Sequence, residues 1–370
     1  MSPSEALIAL NMLPKVGPIK TRGLVDFFGS AERVLSASIG ELQKVKGIGS
    51  ETAGLIHDWE SKVDLSRELR EIKERGLLVL TQVDERYPES LRNSYDPPVV
   101  LYVWGEIKEC DKHAIAIVGS RKTSHYGVQT SRQFGFQLAA SGLTIVSGLA
   151  RGIDTHAHEG AVAAKGRTIA VIGSGLGQIY PAENMELANR IASGHGAVVS
   201  EFPLNTPPSK KTFPVRNRIV AAWSQAVVVV ESPEWSGSQI TANLAGEMGK
   251  TVYAVPGQID RPTSAGCNML IREGATLVTS GKDILEDLEV LPLFDSEPEV
   301  AIVEQDQAKS KYSVSSEEQL VLDALQNNEL LVDDLFTRVG VNISELQVIL
   351  LKLEIKSLVK QVAGGRYTLS

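Results

Sequence analysis

The sequence predicts an α/β protein, with a Rossmann-like parallel sheet core flanked by an N-terminal helical domain and a C-terminal winged-helix domain. Between residues 111 and 290, short apolar runs alternate with longer amphipathic segments. The runs are apolar throughout, which is typical of strands in a parallel sheet that helices cover on both faces. Helical periodicity returns after residue 314, and this predicts a separate C-terminal domain.

The composition is that of a globular protein of two or three domains, with 370 residues, 43% hydrophobic and 22% charged. The only cysteines, Cys110 and Cys267, are far apart in the sequence, and no Cys/His cluster occurs. We therefore expect neither a disulfide framework nor a zinc site, and a reducing cytoplasm fits best. The N-terminus lacks the features of a secretory signal, and no apolar run approaches the roughly 20 residues of a membrane span.

The net charge of −8 argues at first against a nucleic-acid partner. However, residues 283–370 carry 17 acidic and 7 basic side chains, whereas residues 1–282 carry a net charge of +2. The stretch 202–230 contains no acidic residue. Its basic residues are Lys210, Lys211, Arg216 and Arg218. The charge distribution therefore allows a basic site on a nearly neutral body.

Residues 1–70 predict short helices separated by glycine turns, in an N-terminal helical domain. Residues 45–50, VKGIGS, resemble the hairpin of a helix-hairpin-helix motif. In that motif glycines let the backbone approach a phosphate, and a helix N-terminus offers free N–H groups. A small helical packing module of the sterile-alpha-motif (SAM) kind is the alternative, and the sequence leaves both open.

Residues 71–290 predict an extended Rossmann-like domain, in which residues 71–110 supply a lead-in pair of strands around a Pro-containing turn. Residues 291–314 lose periodicity and gain Pro, Ser, Gln and acidic residues, as a linker does. Residues 315–370 contain three helical segments followed by two strands around Gly364-Gly365. Three helices and a terminal hairpin in so short a stretch are typical of a winged helix.

Glycine and serine loops follow the core strands and predict an anion site. Gly119-Ser120-Arg121 joins the first core strand to a helix, and presents backbone N–H groups, a hydroxyl and a guanidinium. Residues 173–177 and 236–238 follow later strands. The carboxyl ends of parallel strands form the edge where open α/β sheets bind ligands. No GxGxxG or GxxxxGK[ST] pattern occurs, so we expect no nucleotide cofactor.

The stretch from Lys210 to Arg218 is the most informative. A helix is predicted to begin at Pro214 or Val215, which places Arg216 to Arg218 in its first turn. Cations there oppose the helix dipole, a cost that is tolerated more readily if an anion docks. Phe213 adds an aromatic face on which a base can stack. The pattern favours a single-stranded nucleic-acid site, and the alternative is a solvated charged loop with Phe213 in the core.

The segment Thr155-His156-Ala157-His158-Glu159, directly after Asp154, has the residue types of a metal site. Asp154 and His158 share a helix face, but His156 points away from both. We therefore expect Asp154 to cap the helix N-terminus and expect no bound metal. No Ser/His/Asp set or paired carboxylate predicts a catalytic group.

Seven blocks between residues 111 and 280 resemble, in order, the signature blocks of the DNA-processing protein A family (DprA/Smf). They are IVGSRKTSHYG, SGLARGIDTHAHEGA, GSGLGQIYPAEN, VVSEFP, FPVRNRIVAAWS, VVVVESPEWSGSQITANLAGEMGKTVYAVPG and SAGCNMLIREGATLV. The resemblance implies a non-enzymatic protein that binds single-stranded DNA during natural transformation, protects it and loads the RecA recombinase onto it. It also implies a homodimer joined through the Rossmann-like domain, with no cofactor.

The resemblance assigns DNA contacts motif by motif. The residues matched to the DNA pocket are Arg121, Lys210, Phe213, Arg216, Asn217 and Arg218, with Lys211 as an adjacent candidate. The residues expected to shape its floor are Gly119, Ser120, Gly148, Gly173, Gly175, Ser236, Gly237 and Ser238. The winged helix is acidic overall, yet its end is locally basic through Lys352, Lys356, Lys360 and Arg366. DNA contact, partner binding and modulation of the dimer therefore stay open for that domain.

The sequence offers two alternative functions. Strand-end Glu201 and Glu231 are similar in position to residues of phosphoribohydrolase-like enzymes that process nucleotides. Those enzymes carry a PGGxGTxxE loop, whereas this chain has SPEWSGSQITANLAGE at that place, which disfavours the enzyme. A DNA-bending or regulatory protein that uses the winged helix is the other alternative.

Overall fold

The computed structural model describes residues 1–289, 316–325, 330–339, 359–362 and 366–369, together with single residues 346, 349, 350 and 353. The chain divides into two compact units, Met1–Phe294 and Asp295–Ser370. The predicted linker, residues 291–314, lies outside the described residues. Among the described residues, no helix has the length and apolar character needed to cross a bilayer.

Seven helices precede the sheet in the described part of the first unit. They are α1 (Pro3–Met12), α2 (Pro18–Phe28), α3 (Ala31–Leu35), α4 (Ile39–Leu42), α5 (Ser50–His57), α6 (Trp59–Lys62) and α7 (Leu65–Glu74). Gly47, with φ +87°, lies in the turn between α4 and α5, where a left-handed residue favours glycine. Ile8 of α1 and Ile72 of α7 pack in the same apolar cluster as Val198 and Leu204. Helices α1 and α7 therefore pack against the sheet and share this apolar cluster with it.

Nine strands within residues 1–289 form one sheet. They are β1 (Leu78–Thr81), β2 (Val100–Gly105), β3 (Ala114–Val118), β4 (Thr144–Ser147), β5 (Thr168–Val171), β6 (Gly196–Ser200), β7 (Ala226–Val229), β8 (Thr251–Ala254) and β9 (Thr276–Leu277). Their order is β1-β2-β6-β5-β4-β3-β7-β8-β9. Neighbours from β6 to β9 in this order run parallel, whereas β1 and β2 are antiparallel additions. The predicted Rossmann-like core and lead-in strand pair are confirmed.

The apolar strand β3 shows why the sheet is buried on both faces. Side chains of a strand alternate between faces. Ala114, Ala116 and Val118 accordingly pack in one apolar cluster, and Ile115 and Ile117 pack in the cluster on the opposite face. A strand with no polar position can bury all of its side chains only where helices cover both faces of the sheet.

Helices follow the strands of the sheet. They are α8 (Glu89–Arg92), α9 (His125–Ala140), α10 (Ile153–Ala163), α11 (Met185–Arg190), α12 (Thr212–Trp223), α13 (Gly237–Glu247), α14 (Ala265–Arg272) and α15 (Gly281–Glu289). The chain proceeds from β3 to β4, β5 and β6 on one side, and then to β7, β8 and β9 on the other. The direction reverses beside β3, and such a switch point opens a crevice at the carboxyl ends of the strands.

The second unit contains a small antiparallel sheet with helices. Its described elements are α16 (Ser316–Leu325), β10 (Leu330–Leu331), α17 (Val332–Val339), β11 (Val359–Val362) and β12 (Arg366–Leu369). The strand order is β10-β12-β11, and Val321, Leu335, Leu346 and Leu353 are buried in one core. This arrangement agrees with the predicted winged helix. The turn at Gly364-Gly365 and most of the predicted third helix lie outside the described residues.

Candidate nucleic-acid interface

A cleft of about 550 Å³ opens at the switch point of the sheet. Loops after β3, β4 and β7 and one side of α12 form its walls. Its polar and aromatic lining includes Ser120, Arg121, Lys122, Asp154, Lys210, Phe213, Arg216, Asn217, Ser236 and Ser238. The predicted residues Gly119, Gly148 and Gly237 line it as well. Distant parts of the sequence thus meet at the carboxyl edge of the sheet. This is the edge that the glycine and serine loops after the core strands predict.

Arg121 and Phe213 form a cation–π pair in this cleft. The guanidinium Cζ of Arg121 lies 4.7 Å from the centroid of the Phe213 ring, within the range of cation–π attraction. Arg121 is exposed and Phe213 is half-buried, so the ring is not a core residue. A Cβ on Gly173 would lie 2.7 Å from Cδ1 of Phe213, and glycine is therefore required for this close approach.

Arg216 is buried in the floor of the cleft, with 4% of its surface exposed. Its Nη1 donates to the carbonyl oxygens of Gly148 and Val171, so it links the ends of β4 and β5. Burial lowers the pKa of Arg216 to about 10, which leaves the side chain cationic at neutral pH. Arg216 therefore gives the floor both rigidity and a fixed positive charge.

The helix start differs from the prediction. Helix α12 begins at Thr212 rather than at Pro214 or Val215. The reason lies in Ser209, whose Oγ accepts from the Thr212 amide at 3.2 Å and whose carbonyl accepts from the Thr212 hydroxyl at 3.0 Å. Arg216 thus lies beyond the first turn, and the argument from the helix dipole does not apply to it.

Asp154 lines the cleft near Arg216, and His158 is fully buried one turn further along α10. The Asp154 carboxylate accepts from the amide of Gly148 at 3.1 Å, and burial raises its pKa against the opposing effect of Arg216. Gly152 is the N-cap of α10, so the predicted capping role of Asp154 is wrong: its carboxylate turns back to the preceding loop. Burial lowers the pKa of His158 to about 3. Among the described residues, no group of His, Cys, Asp and Glu side chains has the arrangement of a metal site.

The start of α13 forms another wall. Ser236 is the N-cap and accepts from the amide of Gln239 at 3.4 Å. The hydroxyl of Ser236 also lies 2.7 Å from that of Ser238, and Asn217 Nδ2 donates to the Gly237 carbonyl at 3.1 Å. A helix N-terminus with small side chains favours an approaching anion, since its first amides lack helical partners.

Four predicted residues lie outside the lining of the cleft, and the first of them, Gly173, lies directly against the Phe213 ring. Arg218 is buried and forms ion pairs with Asp96, at 3.0 Å, and with Glu201. Lys211 is exposed at the start of α12. Gly175 supports a neighbouring turn, because its amide donates to the Thr206 carbonyl at 2.9 Å. The cleft geometry gives no support to the DNA contacts predicted for Arg218 and Lys211, or to the place in the floor predicted for Gly175.

The two strand-end glutamates are engaged elsewhere. Glu231 accepts from the Thr123 hydroxyl at 2.7 Å and from the Ser124 amide at 2.9 Å. Burial acts to raise the pKa of Glu231, but these hydrogen bonds hold it below its usual value. Burial raises the pKa of Glu201 to about 7 beside Arg218. Neither carboxylate lines the cleft.

Sequence reasoning missed Lys122, Arg151, Tyr180 and Trp235. Lys122 lines the cleft, and its place directly after Arg121 was the available signal. Tyr180 lies 5.8 Å from Phe213 between ring centroids, a contact that no local pattern indicates. Trp235 is 89% exposed and directly precedes the cleft residue Ser236.

Two family models match this chain. Residues 78–289 match the family model of DNA recombination-mediator protein A, and residues 305–365 match the DprA winged helix domain. Protein Smf of Synechocystis is 32% identical over 97% of this chain and 97% of its own. Protein Smf of Escherichia coli is 40% identical over 76% of this chain and 74% of its own.

Two solved structures are also similar. The X-ray structure of DprA from Streptococcus pneumoniae has a TM-score of 0.68 and 33% identity, and covers 78% of this chain and 98% of its own. A Helicobacter pylori DprA structure, whose subject is single-stranded DNA binding, has a TM-score of 0.51 and 30% identity over 58% of this chain and 95% of its own. This chain therefore belongs to the DprA/Smf family of DNA-processing proteins.

Proposed function

We propose that this protein binds single-stranded DNA in the cleft beside β3, protects it, and loads the RecA recombinase onto it in natural transformation or recombination. The protein acts in the cytoplasm as a homodimer joined through the Rossmann-like domain. The solved H. pylori relative, studied for its single-stranded DNA binding, supports the choice of ligand. Family membership supports the role in recombination.

The single observation that carries the proposal is the Arg121–Phe213 pair at the carboxyl edge. An accessible aromatic ring beside a guanidinium suits a base together with its phosphate. Exposed Lys122 and Lys210 on the same walls add phosphate contacts. Bases in a duplex are stacked and paired, so the ring cannot reach them. The geometry therefore favours a single strand over a duplex.

The alternative is a phosphoribohydrolase-like enzyme, and the carboxylates argue against it. Such chemistry needs an acid or base that faces the ligand. Glu231 is held by Thr123 and Ser124, and Glu201 is held by Arg218. Asp154 lines the cleft but is bound to backbone amides. We therefore propose binding without catalysis.

The DNA-binding part is tested by fluorescence anisotropy with a labelled oligo-dT and a matching duplex. We expect Arg121→Ala to weaken single-strand binding about tenfold or more, because it removes a phosphate contact and the cation over Phe213. Lys165→Ala is the control, since Lys165 is exposed in the turn that enters β5 at the opposite edge. Equal affinity of wild type and Arg121→Ala would contradict the proposal.

The loading part needs a separate assay. RecA ATP hydrolysis is followed on single-stranded DNA that a single-strand-binding protein already covers. We expect the wild-type protein to shorten the lag before hydrolysis and Arg121→Ala to restore it. Light scattering coupled to gel filtration reports the dimer. A lag that the wild-type protein leaves unchanged would overturn RecA loading, and a monomer at all concentrations would overturn the dimer.

A further inference from the structure

A second, smaller chamber of about 230 Å³ lies next to the cleft. Both cavities share Arg121, Lys122, Phe213 and Arg216 in their linings. Phe213, with Arg121 over its ring, therefore borders both spaces. The second chamber is a continuation of the cleft past Phe213.

The wall of this chamber adds a second aromatic ring and a further cation. Tyr180 is 40% exposed, and its ring centroid lies 5.8 Å from that of Phe213 with a tilt of 36°. The guanidinium Cζ of Arg151 lies 6.0 Å from the Tyr180 centroid. Arg121, Phe213, Tyr180 and Arg151 thus form a row of cation, ring, ring and cation.

The charges of the chamber suit a polyanion. Its charged lining residues are Arg121, Lys122, Arg151 and Arg216. None of the residues that line it is acidic. The carboxylate of Glu183 accepts from Arg151 Nη2 at 2.9 Å, and both side chains are 53% exposed. Arg151 Nε also donates to the same carboxylate, so the pair is bidentate. A phosphate offers Arg151 the same two acceptor oxygens, so a phosphate of the strand can replace Glu183 at this exposed side chain.

We propose that this chamber is a second nucleotide subsite, in which Tyr180 stacks on a base and Arg151 contacts a phosphate of the same strand. The proposal rests on the proposed single-stranded DNA binding and gives that strand a direction past Phe213. Neighbouring aromatic surfaces with cations close by favour the stacking of two successive bases of one strand. The row of four side chains provides that arrangement.

The stacking part is tested with Tyr180→Ala and Tyr180→Phe in oligo-dT anisotropy titrations. We expect Tyr180→Ala to raise the Kd about 5- to 150-fold, the usual range for loss of one base–aromatic stack. Tyr180→Phe keeps the ring and should stay within about twofold of wild type. Thermal unfolding of both variants shows whether the fold is kept.

The phosphate part uses a gain of affinity, which a merely structural role would not produce. Glu183→Gln frees Arg151, so we expect tighter binding and a salt dependence of log K steeper by about 0.7 for one added phosphate contact. Glu186→Gln is the matched control: Glu186 is exposed on α11, lines neither chamber, and loses the same charge.

The outcomes separate the two proposals. If wild type binds and Arg121→Ala does not, while Glu183→Gln binds like Glu186→Gln, the second subsite is overturned and the proposed function stands. If Tyr180→Ala fails to fold, Glu183→Gln alone decides. Unchanged affinity in a folded Tyr180→Ala also overturns the subsite. Absence of single-strand binding by the wild type overturns both.

Discussion

Phe213 lies so close to Gly173 that a methyl group there would meet its ring 2.7 Å away. At the residue scale, we expect Gly173→Ala to push Phe213 out of place and to weaken single-strand binding. Gly246→Ala is the control, because nothing lies within 4 Å of its added Cβ. Anisotropy measures the Kd, and a Gly173→Ala variant that is folded and binds like wild type would contradict the role of the ring.

Arg216 donates to two buried carbonyl oxygens, in addition to placing a positive charge in the floor of the cleft. We expect Arg216→Ala to lower the free energy of unfolding by about 2 kcal/mol or more, because buried acceptors lose their donor. The exposed Arg121→Ala should change it by less than about 0.5 kcal/mol. Urea unfolding followed by tryptophan fluorescence compares the two. Equal stability of both variants would show that Arg216 has no structural role.

Residue types predicted the cleft only in part. Arg121, Lys210 and Phe213 follow from strand-end position and charge, and they do line the cleft. Arg218 carries the same charge in the same stretch, yet it pairs with Asp96 and Glu201. Those partners are remote in sequence, so local composition cannot tell a ligand-facing arginine from one in an internal ion pair.

At the scale of elements, the packing of α10 against the sheet leads to a pH dependence. Nδ1 of His158 lies 2.6 Å from Thr168 Oγ1, and burial lowers the pKa of His158 from 6.5 to about 3. Between these values the unfolded chain binds a proton that the folded chain excludes. Stability therefore falls as pH drops from 6.5 towards 3.

We expect His158→Gln to remove this contribution. Relative to the variant, the wild type should lose about 2 kcal/mol of unfolding free energy between pH 7 and pH 5. Glu201, whose pKa burial raises to about 7, acts in the opposite direction but is common to both proteins. Urea unfolding at the two pH values provides the test, and parallel profiles would contradict a buried neutral His158.

The strands could be predicted because a short run of consecutive apolar residues must be buried on both faces, as it is in a central strand of a parallel sheet. The start of α12 was not, since it depends on hydrogen bonds between Ser209 and Thr212 that the apolar pattern does not encode. The same holds for Asp154, a residue type that often caps helices but here binds the preceding loop. Polar side chains with several possible partners limit prediction more than apolar ones do.

At the scale of the whole molecule, the cleft can be tested apart from the acidic C-terminal stretch of the sequence, residues 283–370. Among the described residues, those that line the cleft fall between Val118 and Thr263 and belong to the unit Met1–Phe294. We therefore expect deletion of residues 311–370 to leave the Kd for oligo-dT within about twofold, as for independent sites. Anisotropy on the truncated protein is the measurement. Abolished binding would instead favour a winged helix that holds the DNA.

The central claim is that single-stranded DNA lies against Phe213 at the carboxyl edge of the sheet. Photocrosslinking of an oligonucleotide that carries 5-iododeoxyuridine, followed by mass spectrometry of the tryptic peptides, tests it most directly. The account predicts cross-links in the peptide that contains Phe213, and their loss in Phe213→Leu. Cross-links confined to residues 1–70 or to residues 315–370, with none at the cleft, would contradict it.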